Sequence, residues 1–183
     1  MRIIAGESRG RRLESVKGMG TRPTSDKVKG AMFNIIQGRI KDSVVLDLFA
    51  GTGNLGLEAI SRGSKKAVFV EKDRKAISVL NRNRKTLGYI EQTEVIPKDV
   101  FKALTDLSKR GILFDIIFID PPYREGYNEL ALDAVAQAKI LQMDGIIIIE
   151  HDKNILPSEK IGDLVRFDLR IYGGTGISFY RKD

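Results

Sequence analysis

The stretch Val44–Ile60, VVLDLFAGTGNLGLEAI, decides the fold. It opens on a run of Val and Leu interrupted by one carboxylate, Asp47, and then meets glycines at 51, 53 and 56. The apolar run reads as a buried strand, and the residues from Leu55 onward read as a helix. Glycines spaced G-x-G-x-x-G between a strand and a helix form a tight turn where backbone can approach a ligand. The helix start then offers unpaired N–H groups to that ligand. A bare strand-to-helix turn is the simpler alternative, and the neighbouring elements argue against it.

The same alternation continues outward from this stretch. "KAVFVEK", "TEVIPKD", "FDIIFID" and "GIIIIEH" read as further strands, and near-continuous Val, Ile and Phe suits strands covered on both faces of a parallel sheet. Between them lie the helical patterns "LGLEAISRG", "DRKAISVLNRNRKTLG", "DVFKALTDLSKRG" and "NELALDAVAQAKIL". In the second, Ala76, Val79, Leu80, Asn83 and Leu87 fall on one helical face. Basic last turns closed by Gly63, Gly88 and Gly111 mark helix ends. Strands alternating with helices predict an α/β doubly wound sheet. "LVRFDLRIYGG" and "TGISFYRK" predict a C-terminal antiparallel hairpin. The first forty residues differ: "RIIAG" and "RRLESV" predict a pair of short strands, "MGTRPTSD" a loop, and "DKVKGAMFNIIQGR" a helix capped by Thr24 or Ser25. This divides the chain into a basic extension, 1–41, and a main domain, 42–183.

Length and composition narrow the function. The 183 residues suit one domain with a full core, and 42% hydrophobic with 30% charged residues reads as globular and soluble. No apolar run approaches a membrane span, and "MRIIAGESRG" lacks a signal-peptide core, so a cytoplasmic location is expected. There is no cysteine, and His151 is the sole histidine, so thiol catalysis, a histidine triad and a His or Cys metal site are not expected. Charge is unevenly placed. Residues 1–41 hold ten Lys or Arg against three acids, which accounts for the whole net charge of +7. Such asymmetry points to a polyanion such as nucleic acid, with Arg9, Arg11, Arg12 and Arg22 as candidate phosphate contacts; a merely solvated basic arm is the plainer alternative.

The strand ends carry the candidate chemistry. Glu71 lies 20 residues after Gly51, where an acid can accept both hydroxyls of a ribose. Asp47 inside the first strand suits an ammonium or sulfonium ligand better than a pyrophosphate, because like charges repel. It can also serve as a loop-stabilising acid. Asp99 with the Val100 backbone can read an adenine ring, or Asp99 can cap the following helix. Asp120 ends the fourth strand and is followed by Pro121, Pro122 and Tyr123. The prolines present carbonyls without N–H groups. The Asp120 carboxylate and Pro121 carbonyl are two acceptors for the two N–H groups of a planar exocyclic amine, and Tyr123 can stack on its ring. A strand end with a proline turn and a packed tyrosine is the alternative. Phe33 and Asn34 can close the pocket, or Phe33 can be helix core. His151 is expected to be a satisfied or solvent-facing side chain and not a base.

Taken together, these motifs resemble the class I S-adenosylmethionine (SAM)-dependent methyltransferases, and Asp-Pro-Pro-Tyr resembles their amino-methylating group. "RIIAGESRGRRL", "TRPTSDKVKGAMFNII", "VLDLFAGTGNLGLEAISRG", "FVEKD", "FIDPPY" and "YGGTGISFYRK" are similar, over nearly the whole chain, to the RsmD-type methyltransferases of 16S ribosomal RNA. Lys27 and Lys29 stand where that family often has Arg, and Gly30 where a helix-favouring residue is common. The resemblance implies a Rossmann-like, mostly parallel seven-stranded sheet with helices on both faces. It implies SAM as cofactor, held by Asp47, Gly51, Gly53, Glu71, Asp99 and Val100. It implies methyl transfer to N2 of a guanine, with Asp120, Pro121, Pro122 and Tyr123 at the reacting amine. The partner implied is 16S rRNA within a small-subunit particle, and a monomer is expected. Competing readings are a DNA adenine or protein-glutamine methyltransferase, a non-catalytic RNA-binding assembly factor, and, more remotely, an NAD oxidoreductase.

Overall fold

The computed structural model describes residues 1–16, 26–122 and 126–183. Five parallel strands form its centre: β1 (Val44–Leu48), β2 (Lys66–Val70), β3 (Thr93–Ile96), β4 (Phe114–Ile119) and β5 (Leu141–Asp152). Three antiparallel strands extend them: β6 (Lys160–Ile161), β7 (Leu164–Tyr172) and β8 (Thr175–Lys182). The order across the sheet is β3-β2-β1-β4-β5-β8-β7-β6. The chain therefore reverses its direction of progress between β1 and β4. Open α/β sheets bind ligands in the crevice that such a switch point creates.

The strands are Val/Ile runs because helices cover both faces. Val45, Ala67, Phe69, Ile116, Phe118, Ile148 and Phe179 face one core with α1 (Asp26–Ile35), α2 (Asn54–Ser61) and α3 (Arg74–Leu87). Their alternates Leu46, Leu48, Val68, Val70, Ile117, Ile119 and Ile147 face a second core with α4 (Val100–Lys109) and α5 (Tyr127–Ala138). Strand periodicity of two thus serves two apolar layers at once. Helix ends follow the glycine signals: Gly88 caps α3 at φ +82°, and Gly63 and Gly111 follow α2 and α4 at φ +98° and +65°.

Two expectations need adjustment. Among the described residues the sheet has eight strands and not seven, because the two-residue β6 pairs with the start of β7. The N-terminal pairing is a single antiparallel bridge, Arg2 with Arg12, supported by the Ile3 and Leu13 N–H groups donating to the Arg11 and Met1 carbonyls. This hairpin does not stand apart from the main domain. Ile3, Leu13, Met32, Phe33, Ile36 and Ile40 are buried in the same core as Leu55, Ile60 and Phe118. The proposed Thr24 or Ser25 cap lies outside the described residues.

Candidate active site at the carboxyl edge of the sheet

Strand register sets the site. Leu48 of β1 pairs with Val70 of β2 on one side and Ile119 of β4 on the other. The next residue on each strand is Phe49, Glu71 and Asp120. Glu71 and Asp120 therefore flank the start of the glycine loop, two strand spacings or about 10 Å apart. Asp99 follows β3, the next strand outward. The order Asp99, Glu71, glycine loop, Asp120 runs across four adjacent strand ends.

The three loop glycines have different causes. A Cβ on Gly53 would lie 2.4 Å from Leu80 Cδ1, and φ there is +87°. A Cβ on Gly56 would lie 2.3 Å from the Phe69 ring. Gly53 is favoured by its left-handed backbone, and Gly56 by the close approach of the Phe69 ring. Gly51 has φ +54°, and a Cβ there would meet nothing within 4 Å. The space beside Gly51 is open, so its backbone can meet a ligand. Its N–H donates to Glu71 Oε2 at 2.8 Å, which ties the loop to the end of β2. Glu71 Oε1 accepts from the N–H groups of Lys72 and Asp73, each at 2.8 Å. Phe49, between Leu48 and the loop, holds φ +62°, a strained conformation for a bulky side chain of the kind found at functional sites.

Asp47 is buried, and its Oδ2 accepts from the Gly56 N–H at 2.8 Å. The loop-stabilising role is thus present in the structure. Burial raises its pKa to about 7; the Gly56 hydrogen bond opposes that rise and the nearby Glu71 charge adds to it. Asp99 caps α4, accepting from the Phe101 N–H at 3.1 Å, and pairs with Lys72 at 3.3 Å. Val100 begins α4 and is buried.

At β4, Asp120 is half-buried, Pro121 buried and Pro122 exposed. Tyr123 lies outside the described residues. The described residues continue from Gly126 into α5, whose first residue, Tyr127, stacks edge-on against Phe49 at 5.7 Å and Phe101 at 5.9 Å. This aromatic contact, which sequence reasoning did not find, links the start of α5 to both the glycine loop and α4. Its only advance signal was an aromatic residue at the start of a helix.

The remaining candidates divide clearly. His151 is fully buried; its Nδ1–H donates to the Asp152 carbonyl, so Nε2 accepts from the Ser178 hydroxyl at 2.9 Å. Burial lowers its pKa, and it is a satisfied core residue. Phe33 is core, 5.4 Å from the Phe118 ring, whereas Asn34 is exposed. Arg9, Arg11 and Arg12 are exposed on the hairpin, and Arg11 also donates to the Thr86 carbonyl. Arg22 lies outside the described residues. Among the described residues no group of His, Cys, Asp or Glu could hold a metal ion, and no helix is long and apolar enough to cross a membrane.

Comparison with known proteins now adds a lineage to this geometry. The family model described as "Conserved hypothetical protein 95" matches residues 1–181. The Bacillus subtilis protein named "Putative rRNA methyltransferase YlbH" is 42% identical over 182 residues, covering 100% of this chain and 99% of its own. "Ribosomal RNA small subunit methyltransferase D" of Haemophilus influenzae is 38% identical over 84% of this chain and 80% of its own. The chain belongs to this family of RsmD-type methyltransferases. A solved Escherichia coli structure titled "Putative methyltransferase yhhF" superposes with a TM-score of 0.87 at 31% identity, covering 100% of this chain and 98% of that one. The Rossmann-like class I fold expected from the motifs is thereby established.

Proposed function

We propose that this protein transfers a methyl group from SAM to the exocyclic N2 amine of a guanine in small-subunit ribosomal RNA. The observation that carries the reading is the position of Asp120 and Pro121 at the end of β4, beside the glycine loop of β1 and level with Glu71. The small-subunit rRNA methyltransferases D among its relatives supply the substrate class.

The residues fit the cofactor. Gly51 leaves open space at the loop, Glu71 stands beside it to accept ribose hydroxyls, and Asp99 with Val100 lies one strand outward for the adenine. Asp47, poised near neutrality, contributes negative charge near a cationic ligand. When bound, SAM supplies an electrophilic methyl on a sulfonium sulfur. The Asp120 carboxylate and Pro121 carbonyl accept the two N–H bonds of the amine. Its lone pair, normally delocalised into the ring, is then held toward the methyl group. The Asp120 carboxylate would stabilise the positive charge that grows on the amine nitrogen as it takes up the methyl group. The nitrogen then loses a proton to solvent, so no strong base is needed, in keeping with a His151 whose two ring nitrogens are both engaged. Tyr123 stacks on the guanine. Residues 1–41 supply phosphate contacts through Arg9, Arg11, Arg12 and Arg22, and residues 42–183 carry the transfer. The enzyme works as a monomer in the cytoplasm, on rRNA already partly assembled into a particle.

Asp120→Ala is the direct test of the amine grip. Methyl transfer is expected to fall by at least a hundredfold, with binding of S-adenosylhomocysteine within a few-fold of wild type. Equal loss of both would assign Asp120 to the fold and overturn its role at the amine.

A further inference from the structure

The segment that carries Arg9, Arg11 and Arg12 is fastened to the glycine loop from two sides. On one side stands Lys29, whose ammonium is buried. It donates to the Arg2 carbonyl at 2.7 Å and to Asn54 Oδ1 at 2.7 Å, and pairs with Glu58 at 3.1 Å. The Glu58 carboxylate also accepts from the Ile4 and Ala5 N–H groups, at 2.8 and 3.0 Å, and pairs with Arg62 at 2.7 Å. Asn54 is the first residue of α2, directly after Gly53. One buried cation therefore touches both the hairpin backbone and the residue that ends the loop.

On the other side stands Asn83 of α3. Its Oδ1 accepts from the Glu14 N–H at 2.8 Å. Its amide nitrogen donates to the Glu14 carbonyl at 3.1 Å and to the Thr52 carbonyl at 3.0 Å. A single primary amide thus joins the end of the hairpin to the middle residue of Gly51-Thr52-Gly53. Asn83 sits in an otherwise apolar stripe with Ala76, Val79, Leu80 and Leu87, and an apolar side chain there would take this partner from the Glu14 N–H and from the Glu14 and Thr52 carbonyls. What the amide adds is direction: each of its hydrogen bonds fixes one backbone group relative to another.

Between these ties the hairpin lies close against α2 and α3. The Glu7 N–H donates to the Ser61 carbonyl at 2.8 Å, and Tyr89 donates to the Ser8 hydroxyl at 2.6 Å. A Cβ on Gly6 would lie 1.7 Å from the Ser61 carbonyl oxygen. With so little slack, a shift of the hairpin is passed to Thr52 and Asn54.

We propose that Lys29 and Asn83 are positioning residues that link the seating of RNA on the N-terminal hairpin to the shape of the glycine loop, so that RNA and cofactor strengthen each other's binding. This rests on the reading of the hairpin as the RNA contact and of the loop as the cofactor cradle. Linkage is reciprocal, so either ligand reports it.

The test measures the affinity of S-adenosylhomocysteine with and without saturating small ribosomal subunits that lack the modification, in wild type and in Asn83→Leu. Subunit binding is titrated separately in the same samples. In wild type the subunits are expected to tighten binding about fivefold or more, the lower end of ordinary coupling between sites. In Asn83→Leu that factor is expected to fall to near one, with a smaller change in affinity without subunits. A purely structural tie would lower the melting temperature and leave the factor intact. A factor of one in wild type, or an undiminished factor in the variant, overturns the proposal. Failure of wild type to bind the subunits at all removes the reading of the hairpin and the linkage with it, and the separate titration identifies that outcome. Hydrogen exchange on wild type needs no substitution: the subunits without cofactor are expected to slow exchange at Thr52–Asn54, and unchanged exchange there also overturns the proposal.

Discussion

Among single residues, the Asp47 carboxylate has the most to say about pH. Burial raises its pKa to about 7, above that of an exposed aspartate in the unfolded chain. The folded state therefore binds this proton more tightly than the unfolded state. The stabilisation it brings is full below about pH 4 and is lost as pH rises through 7. Asp47→Asn cannot titrate and can still accept from the Gly56 N–H. Between pH 5 and pH 8 the variant is expected to gain about 2–3 kcal/mol on wild type in urea unfolding. A difference in stability that does not change with pH would contradict the assignment. At this scale the sequence left Asp47 and Asp99 with two roles each, because a carboxylate at a strand end suits a ligand and a backbone N–H equally. The structure gives both a backbone partner, Gly56 and Phe101, and that leaves their ligand roles to binding measurements. Lys29 read as a basic residue of the extension, at a position where the family often has Arg. Its burial against Glu58 depends on a contact between distant parts of the chain, which spacing along α1 does not reveal.

At the scale of elements, the strand–loop–helix unit was the most legible part of the molecule. Apolar runs covered on both faces and G-x-G-x-x-G punctuation are local signals, and β1 to β5 with α2 to α5 follow them. What was missed depended on pairing across the fold. β6 is two residues long and has no periodicity to read, and the N-terminal hairpin is held by docking to α2 and α3 more than by its own single bridge. Asn83 and Glu58 each interrupt an apolar helix face, and that interruption was a usable sign of buried polar partners. The glycines of the unit offer a sharper test, because their reasons differ. Gly56→Ala drives a methyl group into the buried Phe69 ring and is expected to cost about 1–3 kcal/mol of stability. Gly51→Ala meets no atom and bears only the strain of its positive φ, about 1–2 kcal/mol, but narrows the space for the cofactor. Its S-adenosylhomocysteine affinity is expected to fall at least tenfold, measured by calorimetry on folded protein. Unchanged affinity in Gly51→Ala would remove the loop from the cofactor site.

The whole molecule places a basic hairpin and a ligand crevice on one continuous core. Ile3 and Leu13 of the hairpin are buried with Phe33, Leu55 and Phe118, and the net charge of +7 is carried by the first 41 residues. Charge asymmetry was readable from the sequence as a pointer to a polyanion. That the charged segment also packs beside the glycine loop was not, since it rests on Lys29 and Asn83 reaching across from α1 and α3. The central claim concerns the atom that receives the methyl group. The measurement is transfer from radiolabelled SAM to small ribosomal subunits lacking the modification, to their deproteinised RNA and to duplex DNA, followed by nucleoside analysis. The account predicts label in N2-methylguanosine from the subunits or their RNA. Label in N6-methyladenine of DNA, or no transfer to any of the three by protein that binds the cofactor, would contradict it.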